Sequence, residues 1–228
     1  RQRQMCIRDS PNTPFRGAEL VGMPMSDEIA NLDRKTQRSE AMRRLGLDES
    51  LPTVIVTGGS LGALTLNKAV EANIDALADW GFQVLHITGK GKAILDEQGN
   101  PRTAKNYHQM EFCTSMQDVY AAADLLVVRS GAATVSEVAA VGVPAVFVPL
   151  PHGNGEQSLN IRPLLEEGAA RLVEDQDATA EWFASEIPAL MADSALLERM
   201  AQKAYKLGIR DAARVMAERT LKAVKHSD

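Results

Sequence analysis

A doubly wound, Rossmann-like α/β domain with a parallel sheet and a helical carboxyl end is the fold that this 228-residue sequence predicts. Three observations carry it. From Leu51 onward, short apolar runs alternate with segments of helical spacing. The runs are mostly continuous rather than alternating in polarity, as strands are when helices cover both faces of a sheet. Two of them, Thr53–Thr57 and Asp124–Val128, close in glycine-containing turns that lead into helices.

Taken in order, Arg1 to Ser10 carry mixed charge without periodicity and lack the apolar core of a signal peptide, so residues 1–10 read as a leader foreign to the fold. Residues 11–48 read as linker and helix. Gly22-Met23-Pro24 marks a turn, and Ser26 to Leu45 has helical spacing with Ser26 or Asp27 as its cap. Residues 49–228 form the domain proper. Its expected strands are Thr53–Thr57, Phe82–Thr88, Tyr107–Phe112, Asp124–Val128, Ala145–Pro149 and Ala170–Val173, with helices between them. Ala63 to Leu77 is an amphipathic helix with Leu64, Leu66, Ala69, Val70, Ile74 and Leu77 apolar, and Thr134 to Val141 is another. Ala178 to Lys225 reads as two or three more helices, with Asp177 capping the first.

Composition narrows the function. With 45% hydrophobic and 24% charged residues the chain is an ordinary globular protein, and a net charge of −5 leaves no basic excess for nucleic acid. No apolar run approaches the roughly 18–20 residues of a membrane span. Cys6 and Cys113 lie far apart in unlike surroundings, which suits a reducing, cytoplasmic setting without disulfide or zinc. His86 and His108, on or beside strands, read as packed or satisfied polar groups, and His152 as a loop residue.

The two glycine turns carry the chemistry. Arg129-Ser130-Gly131-Ala132-Ala133-Thr134 brings a strand into a helix, placing unpaired N–H groups and the positive end of the helix dipole where a phosphate can sit. Glu137, one turn later, is placed to accept from two sugar hydroxyls. Thr134-x-x-Glu137 equally fits a capping box, and this segment alone leaves both readings open. Gly58-Gly59-Ser60-Leu61-Gly62-Ala63 is a second such turn. It is neither a P-loop, lacking Gly-Lys-Ser/Thr, nor a G-x-G-x-x-G fingerprint. In one parallel sheet both turns would face the same carboxyl-end crevice.

Gly58 to Ala63, Phe112-Cys113, Arg129 to Glu137, Gly142-Val143-Pro144 and Pro149 to Asn160 together resemble the MurG-type N-acetylglucosaminyltransferases, which convert lipid I to lipid II in peptidoglycan synthesis. The resemblance runs from about residue 12 to the end and covers the carboxyl half of that family's glycosyltransferase-B fold. It implies a chain that binds UDP-N-acetylglucosamine. An absent amino-terminal domain would supply the lipid I acceptor site, the general base and peripheral attachment to the inner face of the bacterial plasma membrane, so the fragment alone would not catalyse transfer.

Position by position, the resemblance puts Gly59, Ser60 and Gly62 on the diphosphate side of the cleft and Phe112 and Cys113 beside the uracil. Arg129, Ser130, Gly131, Ala132, Ala133 and Thr134 fall at the phosphates and sugar, Glu137 at the ribose hydroxyls, and Gln157, with Asn160 behind it, at the N-acetylglucosamine. No cofactor or metal is implied. Asp175-Gln176-Asp177 looks like the metal-binding D-x-D of a different glycosyltransferase fold but is read as a helix cap. The chain departs from the family pattern at Ser26, where arginine is common, at Cys113, where isoleucine is usual, and at Glu156, the first of two frequently paired glutamines. The alternatives are a stand-alone sugar-nucleotide-binding subunit that needs a separate partner and a sugar-nucleotide epimerase of similar fold.

Overall fold

The protein's structure, a computed structural model, describes residues 19–151 and 155–225. The segment assigned to the leader and His152 therefore lie outside the described residues. Among the described residues six strands form one parallel sheet: β1 (Thr53–Thr57), β2 (Gln83–Ile87), β3 (Tyr107–Met110), β4 (Leu125–Val128), β5 (Ala145–Phe147) and β6 (Arg171–Leu172). Their order is β3-β2-β1-β4-β5-β6, so the winding reverses between β1 and β4. Thr57 pairs with Ile87 on one side and with Val128 on the other, which aligns the carboxyl ends of the three central strands. In open α/β sheets ligands bind at this reversal.

Two separate cores explain why the strands read as unbroken apolar runs. Ile55, Leu85, Leu126, Val128 and Phe147 face one side of the sheet and pack with Met42, Val119, Tyr120, Val135, Val138 and Leu164. Val54, Val56, Val84, Leu125, Val127 and Val146 face the other and pack with Leu66, Val70, Leu77, Phe183 and Ile187. Adjacent residues of a strand point to opposite faces. Both faces are dry here, so both must be apolar.

The helices are α1 (Asp27–Ala30), α2 (Arg34–Leu45), α3 (Leu64–Glu71), α4 (Met116–Ala122), α5 (Ala132–Val141), α6 (Glu156–Asn160), α7 (Arg162–Glu166), α8 (Ala180–Ala192), α9 (Ser194–Leu207) and α10 (Ala212–Lys225). The carboxyl tail is thus three helices, at the upper end of the expectation. Several boundaries differ from the sequence reading. The single helix expected over 26–45 is broken between α1 and α2, because the Asp33 carboxylate accepts from the N–H groups of Lys35 and Thr36 and starts a new helix there. Ser26 holds the N-cap position of α1 without a capping bond from its side chain.

The helix expected over 63–77 ends at Glu71 and continues as a 3-10 turn, Ile74–Asp79. Asp177 belongs to a 3-10 turn, and the cap of α8 is Thr179, whose hydroxyl accepts from Trp182 N–H. Between β2 and β3 there is no helix. Gly89, Gly91 and Gly99 take positive φ there, and the Gln109 side chain instead ties the loop down, accepting from Ile94 N–H and donating to the carbonyls of Ile94 and Arg102.

His86 is fully buried in β2, between Asn67 Oδ1 at 3.0 Å from Nε2 and the Tyr107 hydroxyl at 3.1 Å from Nδ1. Asn67 donates its amide to Thr88 O, so Oδ1 is the acceptor and His86 Nε2 carries the proton. Burial pushes the imidazole down from 6.5 to about 4. The unfolded chain therefore takes up a proton near pH 6.5 that the folded chain refuses until about pH 4. Stability should fall by up to about 3 kcal/mol as pH drops through that window. Urea unfolding between pH 7 and pH 4.5 measures this, and His86→Gln should flatten the slope.

Candidate functional site

A cleft of about 260 Å³ opens where the strand order reverses, lined by Thr57, Gly59 and Ser60 from the end of β1 and by Val128, Arg129, Thr134 and Glu137 from β4 and α5. Phe112, Cys113, Met116 and Tyr120 close its third side. The turn after β1 needs its glycines. Gly62 has φ +67°, and a Cβ there would meet Thr88 O at 2.0 Å; one on Gly89 would meet Gly62 N at 2.5 Å. The turns after β1 and β2 thus touch backbone to backbone, which holds the Gly59-Ser60 peptide at the rim. Gly131 differs, with φ −62° and open space where a Cβ would stand. The chain could fold with a larger residue there, but that residue would cover the start of α5.

Helix N-termini at this edge are bare. Ala63 at the start of α3, Ser115 at α4 and Gly131 at α5 make no side-chain capping bond, and the first turn of α5 has no acidic residue. By contrast Asp33, Thr179 and Asp193 cap α2, α8 and α9. Uncapped N–H groups on α5, ten residues long, leave partial positive charge facing the cleft. The arrangement suits an anion held by backbone.

The Thr134-x-x-Glu137 capping box is not made. Gly131 takes the N-cap position, and Glu137 Oε2 instead accepts from the Tyr120 hydroxyl at 2.6 Å. Glu137 is half-buried; burial pushes its carboxyl up and the Tyr120 bond opposes that. Burial also raises the Cys113 thiol, which favours the neutral form, and Cys113 Sγ donates to Ser115 O at 3.6 Å.

Residues 53–216, which contain this cleft, match the family model "Glycosyltransferase family 28 C-terminal domain". The chain belongs to glycosyltransferase family 28. A protein of Paenarthrobacter aurescens named "UDP-N-acetylglucosamine--N-acetylmuramyl-(pentapeptide) pyrophosphoryl-undecaprenol N-acetylglucosamine transferase" is 54% identical over 212 residues, 93% of this chain and 57% of that protein. One of the same name from Nocardioides sp. is 47% identical over 91% of the chain and 58% of its own length. The crystal structure of Acinetobacter baumannii MurG superposes with a TM-score of 0.74 at 29% identity, covering 93% of this chain and 58% of that one. The chain spans between 57% and 58% of the length of these relatives.

Within this family 28 domain the cleft brings together Gly59, Ser60, Phe112, Cys113, Arg129, Thr134 and Glu137. Gly62 lies in the turn after β1 and Ala132 and Ala133 open α5, and none of the three lines the cleft. Ser130 is wholly buried, and its hydroxyl has no hydrogen-bond partner among the described residues. Gln157 and Asn160 lie on α6; Gln157 Oε1 accepts from Leu150 N–H, and Asn160 Nδ2 donates to Ser130 O, bracing the turn between β4 and α5. Asp175 is committed elsewhere, 2.5 Å from Arg129 Nη1 and accepting from the Thr65 hydroxyl. Sequence reasoning missed Tyr120, hidden in the buried run Asp118-Val119-Tyr120-Ala121-Ala122. Its one signal is that a buried tyrosine hydroxyl needs a partner.

Proposed function

We propose that this family 28 domain binds UDP-N-acetylglucosamine and forms the donor half of an inverting N-acetylglucosaminyltransferase that makes lipid II from lipid I. The observation that carries the reading is one cleft lined both by Thr134, in the uncapped first turn of α5, and by Glu137. The diphosphate lies on the N–H groups at Gly131 to Thr134 and beside Ser60. The uracil stands against Phe112 and Cys113, the ribose hydroxyls donate to Glu137, and Gln157 takes hydroxyls of the sugar. The names of the relatives support this choice of donor and acceptor.

In the transfer, the lipid I hydroxyl attacks the anomeric carbon, the glycosidic bond to phosphate breaks, and UDP leaves. Charge builds on the departing diphosphate, where the N-termini of α3 and α5 stabilise it electrostatically without a metal. The general base, the acceptor site and the membrane contact belong to the part of the relatives' length that this chain does not span. Calorimetric titration with UDP-N-acetylglucosamine tests the reading. Saturable binding, unchanged by EDTA, absent for an ADP-sugar and about 30-fold weaker in Glu137→Ala is expected, since hydrogen bonds to a charged group contribute about 1.5–3 kcal/mol. Binding lost with EDTA, or unaltered in the variant, refutes the corresponding assignment.

A further inference from the structure

We propose that Tyr120 is the positioning residue of the nucleotide site, fixing the carboxylate of Glu137 through its hydroxyl. The inference rests on the assignment of Glu137 to the ribose hydroxyls. Tyr120 is 1% exposed and stands in the wall of the cleft, where its hydroxyl donates to Glu137 Oε2 at 2.6 Å. That length is typical of a charge-assisted O–H···O⁻ bond. Burial and the facing carboxylate both hold the phenol protonated, so it stays a donor. A carboxylate offers about four acceptor positions. With Oε2 anchored, the carboxylate cannot rotate about its stem, and its other acceptor positions stay directed at the cleft.

The frame behind the pair is rigid. The Arg34 guanidinium donates from Nε to Tyr120 O at 3.1 Å and from Nη2 to Ala123 O, at the carboxyl end of α4. From Nη1 it donates to Gly142 O at 3.1 Å, at the carboxyl end of α5. One cation thus joins the ends of the two helices that carry Tyr120 and Glu137. It sits where their dipoles favour positive charge. A bond spanning two helices so pinned orients a side chain more closely than packing alone does, because lost rotamer freedom is then settled before the ligand arrives.

Tyr120→Phe removes one oxygen and keeps the ring, so the core that surrounds it is preserved. The test measures binding of UDP and of 2′,3′-dideoxy-UDP to the wild-type chain, to Tyr120→Phe, to Glu137→Ala and to the double variant. Wild type should prefer UDP about 30-fold, a preference that Glu137→Ala abolishes. Tyr120→Phe should lower the preference to about threefold or less while leaving dideoxy-UDP affinity unchanged, and should add nothing in the Glu137→Ala background. A merely structural role would weaken both ligands equally. A wild-type chain that binds no UDP, or does not discriminate, overturns the ribose assignment and this inference with it. Discrimination lost in Glu137→Ala but intact in Tyr120→Phe overturns the Tyr120 inference alone.

Discussion

Gly62→Ala should destabilise the domain by about 3–5 kcal/mol, roughly 10 °C or more in Tm, and should abolish nucleotide binding in whatever remains folded. The left-handed conformation at φ +67° accounts for about 1–2 kcal/mol of this. The rest comes from the methyl group meeting Thr88 O at 2.0 Å. Neither backbone can give way cheaply. Thr88 donates its N–H to Met110 O on the neighbouring strand and its carbonyl accepts from Asn67 Nδ2, while Gly62 N–H closes its own turn on Gly59 O. Moving the turn aside would displace Gly59 and Ser60 from the cleft. Gly99→Ala is the control, with φ +83° but nothing within 4 Å of the added carbon, so it carries the conformational cost alone. Equal melting temperatures for the two variants would show that the contact between the turns is not what holds the site.

Much of this fold and part of its site could be read without coordinates, and the division has physical causes. β1 matches its expected span at both ends because Pro52 and Gly58 bracket it. The expected Ala145–Pro149 overran β5, since Val148 is also buried and bonds to Val128 O, so apolar character continues past the last paired residue. The β2–β3 connection escaped because it has no period; a single side chain, Gln109, organises it. In the cleft, the meeting of Gly59 and Ser60 with Thr134 and Glu137 was legible because strand–glycine–helix units of one parallel sheet deliver their turns to the same carboxyl edge. Tyr120 was not, since it is a core residue of a buried helix, and its bond to Glu137 joins residues of different elements. Nor was the contact of Arg129 with Asp175, which joins residues distant in sequence.

That contact gives the second large effect. Arg129 was expected at the phosphates, yet its Nη1 donates to Val148 O at 3.1 Å and Pro149 O at 3.0 Å, with Asp175 Oδ1 at 2.5 Å as an ionic neighbour. Both N–H bonds of Nη1 are therefore used on carbonyls, which leaves Asp175 Oδ1 buried without a hydrogen bond of its own. The pair is little exposed, 13% and 15%, so solvent screening is weak. Arg129→Met should lower stability by about 3–5 kcal/mol, because it leaves a carboxylate uncompensated and two carbonyls unpaired. Adding Asp175→Asn should recover part of the loss, with a coupling above about 1 kcal/mol in a double-mutant cycle read by urea unfolding without nucleotide. A guanidinium serving chiefly as a phosphate ligand would behave in the opposite way, leaving the free domain's stability unchanged and weakening only nucleotide binding. As a strut, Arg129 joins the end of β4 to the segment after β5 that leads to Gln157, so the proposed phosphate turn and the proposed sugar contact keep their spacing before any donor arrives.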